Sequence, residues 1–316
     1  MMRSFIVATA AVVSLFSSPA LTQQLNQGSW TLPDFSGVWG HPYVPAFEAP
    51  ESGPVPVVNK SRRRQVFAVD GDPIAPGADA PLTSNTQQFI GDYTNPILKS
   101  KAAESVKRFG DIELSGAAAP TPSSQCWPEP PPYIFWNLRI ELLQQPDRTT
   151  ILYSEDHEVR HVRMNQSHPA RVVPSWYGDS IGHYEGDALV VDTIGIRADR
   201  PFAMVDMFGT PYTSALHVVE RYRLIDYEAA RQAQQRAEKE LFHVPEAAPD
   251  PNYRDKGLQL SFTVEDSGAF TTPWSATVTY RRTLTADWLE IVCAENKHEY
   301  YGVRDTAVPS ANNPDF

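Results

Sequence analysis

Apolar and polar positions along this 316-residue chain follow two different regimes. Up to residue 136 no period holds for long, because prolines interrupt it: Pro42, Pro45, Pro50, Pro54 and Pro56, then Pro73, Pro76 and Pro81. Proline cannot donate to a sheet ladder, so these tracts predict loops wrapped over a surface. From Asn137 the period becomes two. Leu138, Ile140 and Leu142 alternate with Arg139 and Glu141, and Pro146-Asp147-Arg148 then marks a turn. Further strands are predicted over Thr149–Tyr153, Val159–Met164, Ala215–Ile225, Gly257–Glu265, Ser275–Arg282 and Trp288–Ala294. Between them, Ser180–Tyr184 and Ala188–Ile194 flank the polar turn Glu185-Gly186-Asp187, a hairpin signal.

Two stretches read as helix. Asn95-Pro96 opens one that runs through Phe109, with proline at its first position. Tyr227–Phe242 is rich in Ala, Glu, Gln, Lys and Arg and predicts an exposed helical insertion between strands, ended by the prolines of 245–251. Mostly sequential strands with short turns predict an all-β protein, an antiparallel lipocalin- or calycin-like barrel or curved meander. The chain divides into a leader (1–22), a Pro-rich wrapping segment with the first strand and one helix (23–136), and the barrel body (137–316) carrying the insertion at 227–244. No βαβ rhythm, G-x-G-x-x-G or P-loop is present, which argues against a nucleotide fold.

Residues 1–22 combine Arg3, the apolar run Phe5–Phe16 and the small residues Ser18-Pro19-Ala20. That order predicts a signal peptide and a secreted or periplasmic protein, with no membrane insertion because the run is too short to span a bilayer. The formal net charge of −11 argues against nucleic acid, whose phosphates need a basic footprint. Cys126 and Cys293 are the only cysteines. In an exported chain such a pair favours a disulfide, the alternative being two free thiols.

Two motif matches are weighed and set aside. His157-Glu158-Val159-Arg160-His161 is a literal H-E-x-x-H, which binds zinc on a helix. Its flanks are β-like, and on a strand its two histidines would stand about 13 Å apart, so no metal is expected. Gly178-Asp179-Ser180-Ile181-Gly182 fits G-x-S-x-G, but a nucleophile elbow needs a helix straight after the serine. Here a hairpin follows, and the glycines are assigned to backbone geometry where the chain enters a strand.

Trp176–Thr193, Leu216–Arg221, Phe270–Trp274 and Cys293-Ala294-Glu295-Asn296 together resemble a family of exported bacterial proteins of unassigned function. Asp34-Phe35-Ser36-Gly37-Val38-Trp39 fits the same pattern, and its G-x-W resembles the first strand of lipocalin-like barrels, where the Trp plugs the closed end. Met164-Asn165-Gln166-Ser167-His168-Pro169 keeps the histidine of a family D-G-R-x-H-P turn but not its Asp-Gly-Arg. The resemblance implies architecture and candidate positions, not a reaction.

Strand phase then selects candidate chemistry. Glu220 falls on the apolar face of Leu216, Val218, Tyr222 and Leu224. Asp192 shares a face with Val190 and Ile194, and Arg160 is in phase with Val162 and Met164. A buried acid must be paired or protonated. Asp192, Glu220, Arg160 and the loop residue His168 are therefore expected to converge in the barrel lumen as catalytic residues. Trp176, Tyr184, Tyr222 and Trp274 are expected to bind a small apolar or aromatic molecule. Three functions remain open: an acid–base enzyme (lyase, isomerase, hydratase or hydrolase) without cofactor, a lipocalin-like carrier, and a structural envelope protein. A buried Arg–carboxylate network that only fixes strand register is the competing reading of the polar residues.

Overall fold

The computed structural model describes residues 32–44, 47–60, 89–115, 119–155, 158–240, 242–243, 248–283 and 293. The leader, His157 and, apart from Cys293, the strand expected at Trp288–Ala294 lie outside the described residues. Eleven strands and two longer helices follow in chain order. They are β1 (Val38–Gly40), β2 (Tyr43–Val44), α1 (Ser100–Leu114), β3 (Arg139–Gln144), β4 (Arg148–Tyr153) and β5 (Val159–Met164). Then come β6 (Asp179–Glu185), β7 (Ala188–Ile194), β8 (His217–Asp226), α2 (Tyr227–Glu240), β9 (Phe242–His243), β10 (Lys256–Glu265) and β11 (Trp274–Arg282).

Nine of these strands close into a barrel in the order β1-β11-β10-β8-β7-β6-β5-β4-β3, while β2 and β9 form a separate two-stranded sheet. The all-β barrel with a helical insertion is therefore the observed architecture. Closure rests on the three-residue β1, in which Trp39 faces Arg282 of β11 on one side and Ile140 of β3 on the other. The Trp39 indole is buried, its N–H donates to the Phe35 carbonyl at 2.8 Å, and the Arg282 guanidinium stacks 4.0 Å from its ring centre.

Alternation sorts the side chains as a barrel requires. Ile140 and Leu142, Ile151 and Tyr153, Val162 and Met164, Leu189 and Val191, Leu258 and Leu260, and Val278 and Tyr280 are all buried on alternate positions of their strands. One pairing departs from the antiparallel meander: β5 and β6 are parallel, with Val162 opposite Ser180. Residues 165–178 must therefore run back along the barrel before β6 begins. As a result, the starts of β5 and β6 and the end of β7 lie at one end of the barrel, hereafter the loop end.

Both helices differ from expectation. α1 starts at Ser100 and not at Asn95, because the Asn95 carboxamide oxygen accepts the Ile97 N–H at 3.1 Å and holds a turn there. Its Val106 and Phe109 are buried in the same apolar cluster as Phe208. α2 is not simply exposed. Ala230, Ala233 and Gln234 form a buried face, and the Gln234 amide donates to the carbonyls of Gly40 (3.1 Å) and Thr279 (3.2 Å) on the barrel wall. Alanines at three- and four-residue spacing let the helix lie close to the sheet. Cys126 and Cys293 form a disulfide, their Cα atoms 5.5 Å apart.

Candidate functional site

Two of the four expected catalytic residues meet in the lumen. Arg160 of β5 and Glu220 of β8 make a two-pronged ion pair, Nη2 to Oε1 at 2.7 Å and Nη1 to Oε2 at 3.1 Å, with exposures of 1% and 0%. Each end is engaged by its neighbours. Arg160 also donates to the hydroxyls of Tyr153 (3.0 Å), Thr193 (3.2 Å) and Ser180 (3.3 Å), and the Tyr222 hydroxyl donates to Glu220 Oε2 at 2.8 Å. Burial works against the guanidinium, but the Glu220 carboxylate raises its pKa well above the ordinary value. Burial, chiefly, pushes the Tyr153 phenol up to about 12. A charge pair held this way commits both Glu220 oxygens to neighbouring wall residues, and it ties β4, β5, β6, β7 and β8 into one register.

The other two residues stand outside the barrel. On β7 the fully buried positions Leu189, Val191 and Thr193 point inward, so Asp192 points out. The inward assignment of Asp192 is thus corrected. Apolar residues occupy both faces of β7, and the pairing of Val191 with Glu220 sets the phase that alternation alone left ambiguous. Asp192 Oδ1 lies 3.0 Å from His217 Nε2 and 3.2 Å from His168 Nε2, and His168 Nδ1 reaches Asp179 Oδ2 at 2.6 Å. Arg163 closes the chain with two bonds of 2.8 Å to Asp179. The hydrogen bond from His217, chiefly, holds the Asp192 carboxyl below the ordinary range, and the same bond raises His217. This half-exposed chain pins the returning loop 165–178 to the barrel wall.

The four aromatic candidates also separate. Tyr222 belongs to the lumen network. Tyr184 accepts a hydrogen bond from the Gln144 amide at 2.7 Å toward the hairpin end. Trp274 is buried among Phe47, Phe262 and Phe270. Only Trp176 lies half-buried at the loop end. Ser180 is buried on β6 and bonds Thr193 at 2.8 Å, so G-x-S-x-G is a strand start. Gly178 has φ +74°, and a Cβ there would come within 2.6 Å of the Ile194 carbonyl; at Gly182 a Cβ would meet Val162 at 2.7 Å. Among the described residues no cluster of His, Cys, Asp or Glu could hold a metal ion.

A third polar group, unforeseen from the strand pattern, occupies the loop end. Glu158 sits just before β5, Glu155 just after β4, and Glu129 in the Pro-rich segment before β3. The backbone N–H of Glu129 donates to Glu158 Oε1 at 2.7 Å. The Glu129 carboxylate itself accepts from Ser123, from the Trp136 indole at 2.9 Å and from Asn137 at 3.4 Å. Burial and the nearby Glu158 charge raise Glu129 well above the ordinary carboxyl range. Burial pushes Glu155 up to about 7, with Ser154 donating to it at 2.7 Å. Burial, then the Glu158 charge, also raises the Tyr177 phenol.

Aromatics and arginines flank these acids. The half-buried rings of Trp127 and Trp176 lie 5.2 Å apart, and the guanidinium groups of Arg200 and Arg197 lie 4.8 and 5.3 Å from the Trp176 ring centre. The parallel β5–β6 pair explains the assembly. Extending its register places Trp176 level with Glu158, and the end of β7 delivers residues 195–200 beside them. The available signal was Trp127 and Glu129 set among prolines, but aperiodic loops carry no phase from which to place them. A separate cleft of about 260 Å³ lies between α1 and residues 202–211, lined by Phe109, Ile112, Phe202 and Met204 among others.

No family model, curated protein or solved structure matches this chain.

Proposed function

We propose that the protein is an exported enzyme that carries out acid–base chemistry on a small aromatic or apolar molecule at the loop end of its barrel. The observation that carries this reading is the pair of carboxyls with raised proton affinity, Glu129 and Glu155, set near Glu158, Tyr177 and the half-buried rings of Trp127 and Trp176. A general acid or base works best when its pKa lies near the operating pH, and Glu155, pushed up to about 7, meets that condition. Burial, then the Glu158 charge, raises the proton affinity of Glu129, the kind of environment that sets neighbouring carboxyls apart as acid and base. The tryptophans give a flat apolar contact for a ring. Export is supported by the disulfide and the leader-like first 22 residues, and no described helix is long and apolar enough to cross a membrane.

The test is a screen of small aromatic compounds, binding followed by calorimetry and conversion by mass spectrometry, on the protein and on Glu155→Gln and Glu158→Gln. The expected result is a bound compound that is converted by the wild type, with turnover lost in at least one variant whose affinity is retained. Binding without any product would instead favour a carrier, and turnover unchanged in both variants would place the chemistry elsewhere.

A further inference from the structure

Arg200 stands out at this end because two of its three guanidinium nitrogens lack a partner among the described residues, where Arg139 lacks one only at Nε. Arg200 is 8% exposed, and its Nη1 donates to the Pro128 carbonyl at 2.8 Å. Among the described residues its buried Nε and Nη2 have no hydrogen-bond partner. A buried polar group lacking a partner is rare enough in folded proteins to need a cause. Arg160 also leaves its Nε without a partner among the described residues, but both of its terminal nitrogens are engaged and Glu220 neutralises the charge. Arg200 has no such carboxylate within ion-pair distance among the described residues, and burial lowers its pKa. The two idle donors, Nε and Nη2, lie on the same edge of the guanidinium plane. That edge presents parallel N–H bonds, the geometry that donates to both oxygens of one carboxylate.

We propose that Arg200 is the recognition residue for the carboxylate of the ligand, so that the molecule taken at the loop end is an aromatic carboxylic acid. The placement favours this class over other anions. Arg200 is held against the Trp176 face, and Trp127 lies next to Trp176, so a planar ring attached to the bound carboxylate finds apolar surface beside the fork. Nη1, anchored on Pro128, fixes the guanidinium plane before the ligand arrives, which lowers the cost of ordering it. The backbone of Pro128 leads directly into Glu129, so the fork and the carboxyl group are positioned by one segment. The inference takes its location from the proposed function but does not require turnover.

The experiment compares benzoate with benzamide, which has the same shape and no charge, by calorimetry on the full protein with its disulfide intact. Phenylacetate and cinnamate with their amides extend the series to longer spacers. Benzoate or one of its homologues is expected to bind about tenfold or more tightly than its amide. Arg200→Lys keeps the charge but loses the fork, and is expected to weaken the acid by about tenfold or more while leaving the amide within about twofold. Equal affinity for acid and amide, no binding of any acid, or an unchanged affinity in Arg200→Lys overturns the proposal. The acid–amide comparison uses the unmodified protein, so it holds even where the variant does not fold. The two readings fail separately. Neutral aromatics bound and converted through Glu155 or Glu158, with no preference for acids, remove the carboxylate and keep the enzyme. Acids bound through Arg200 without product keep the carboxylate and remove the enzyme.

Discussion

Replacing Glu220 by glutamine tests whether the lumen network is a structural lock. The substitution preserves shape and leaves the Arg160 charge, 1% exposed, facing a neutral amide. Removing one partner of a buried ion pair costs about 3–5 kcal/mol, a large share of the roughly 5–15 kcal/mol by which domains are stable. Arg160→Met creates the mirror fault, a buried carboxylate with only the Tyr222 hydroxyl to stabilise it, and is expected to cost a similar amount. In the double variant neither charge of the pair remains. The new amide oxygen can still accept from Tyr222, Ser180 and Thr193 keep their mutual bond of 2.8 Å, and the Tyr153 hydroxyl loses the arginine. The weakened Tyr153 hydroxyl and the buried amide NH2 of the new glutamine each cost about 1–3 kcal/mol. The double variant is therefore expected to be less destabilised than the sum of the singles by about 3 kcal/mol or more. Urea unfolding at neutral pH, followed by circular dichroism and tryptophan fluorescence, yields the four free energies of the cycle. Single losses below about 1 kcal/mol, or additivity within about 0.5 kcal/mol, would refute the lock. Ligand affinity at the loop end should be unchanged in Glu220→Gln.

Other perturbations have equally definite outcomes. Burial pushes Glu155 up to about 7 and Asp206 up to about 6, so folding takes up protons between the ordinary carboxyl range and those values. Stability should therefore fall as pH rises from about 4 to about 7, and the decline should flatten in Glu155→Gln; a melting temperature that rises over this window contradicts it. His217, raised by its bond to Asp192, acts in the same direction, its contribution being lost as pH rises through its folded value. Gly178→Ala must hold φ +74° and meet the Ile194 carbonyl at 2.6 Å, whereas Gly186→Ala at φ +61° meets nothing within 4 Å. The first should cost about 2 kcal/mol or more and the second about 1 kcal/mol in denaturant unfolding, and equal losses would remove the steric argument. Cys126→Ser opens a loop of 167 residues and should cost up to about 5 kcal/mol, with the native protein running faster than its reduced form on non-reducing gels.

The barrel was legible wherever one strand face was polar. On β5, Arg160, Val162 and Met164 alternate with Val159, His161 and Arg163, and both its bounds and its inward face follow from that period. The inward face of β8 follows in the same way, with Glu220 and Tyr222 inward, although the strand runs His217–Asp226 and not Ala215–Ile225. β7 is apolar at five of seven positions, so its phase depends on its neighbours, and the direction of Asp192 was not available from alternation. The parallel β5–β6 pair was hidden because strand signals carry no direction, and the loop 165–178 has the composition of any turn-rich connection. α2 was recognised as a helix by composition, but its buried face is alanine and glutamine and so carries little hydropathic contrast.

That hidden parallel step is also what joins the fold to the proposed site. In an all-antiparallel meander β6 would start where β5 ends, and Trp176 would then emerge at the opposite end from Glu158. The crossover of 165–178 reverses this, and the outer chain Arg163–Asp179–His168–Asp192–His217 fastens the crossover along its course. His168 and Asp192, expected in the chemistry, thus position it at a distance: they hold the loop that presents Trp176 and Tyr177. The consequence is a separable prediction. Asp192→Asn should loosen residues 165–178, raising their amide exchange and weakening ligand binding through Trp176, while the proton-transfer group remains in place. An Asp192→Asn variant that binds ligand normally but loses all turnover would return Asp192 to the catalytic centre and refute the positioning role.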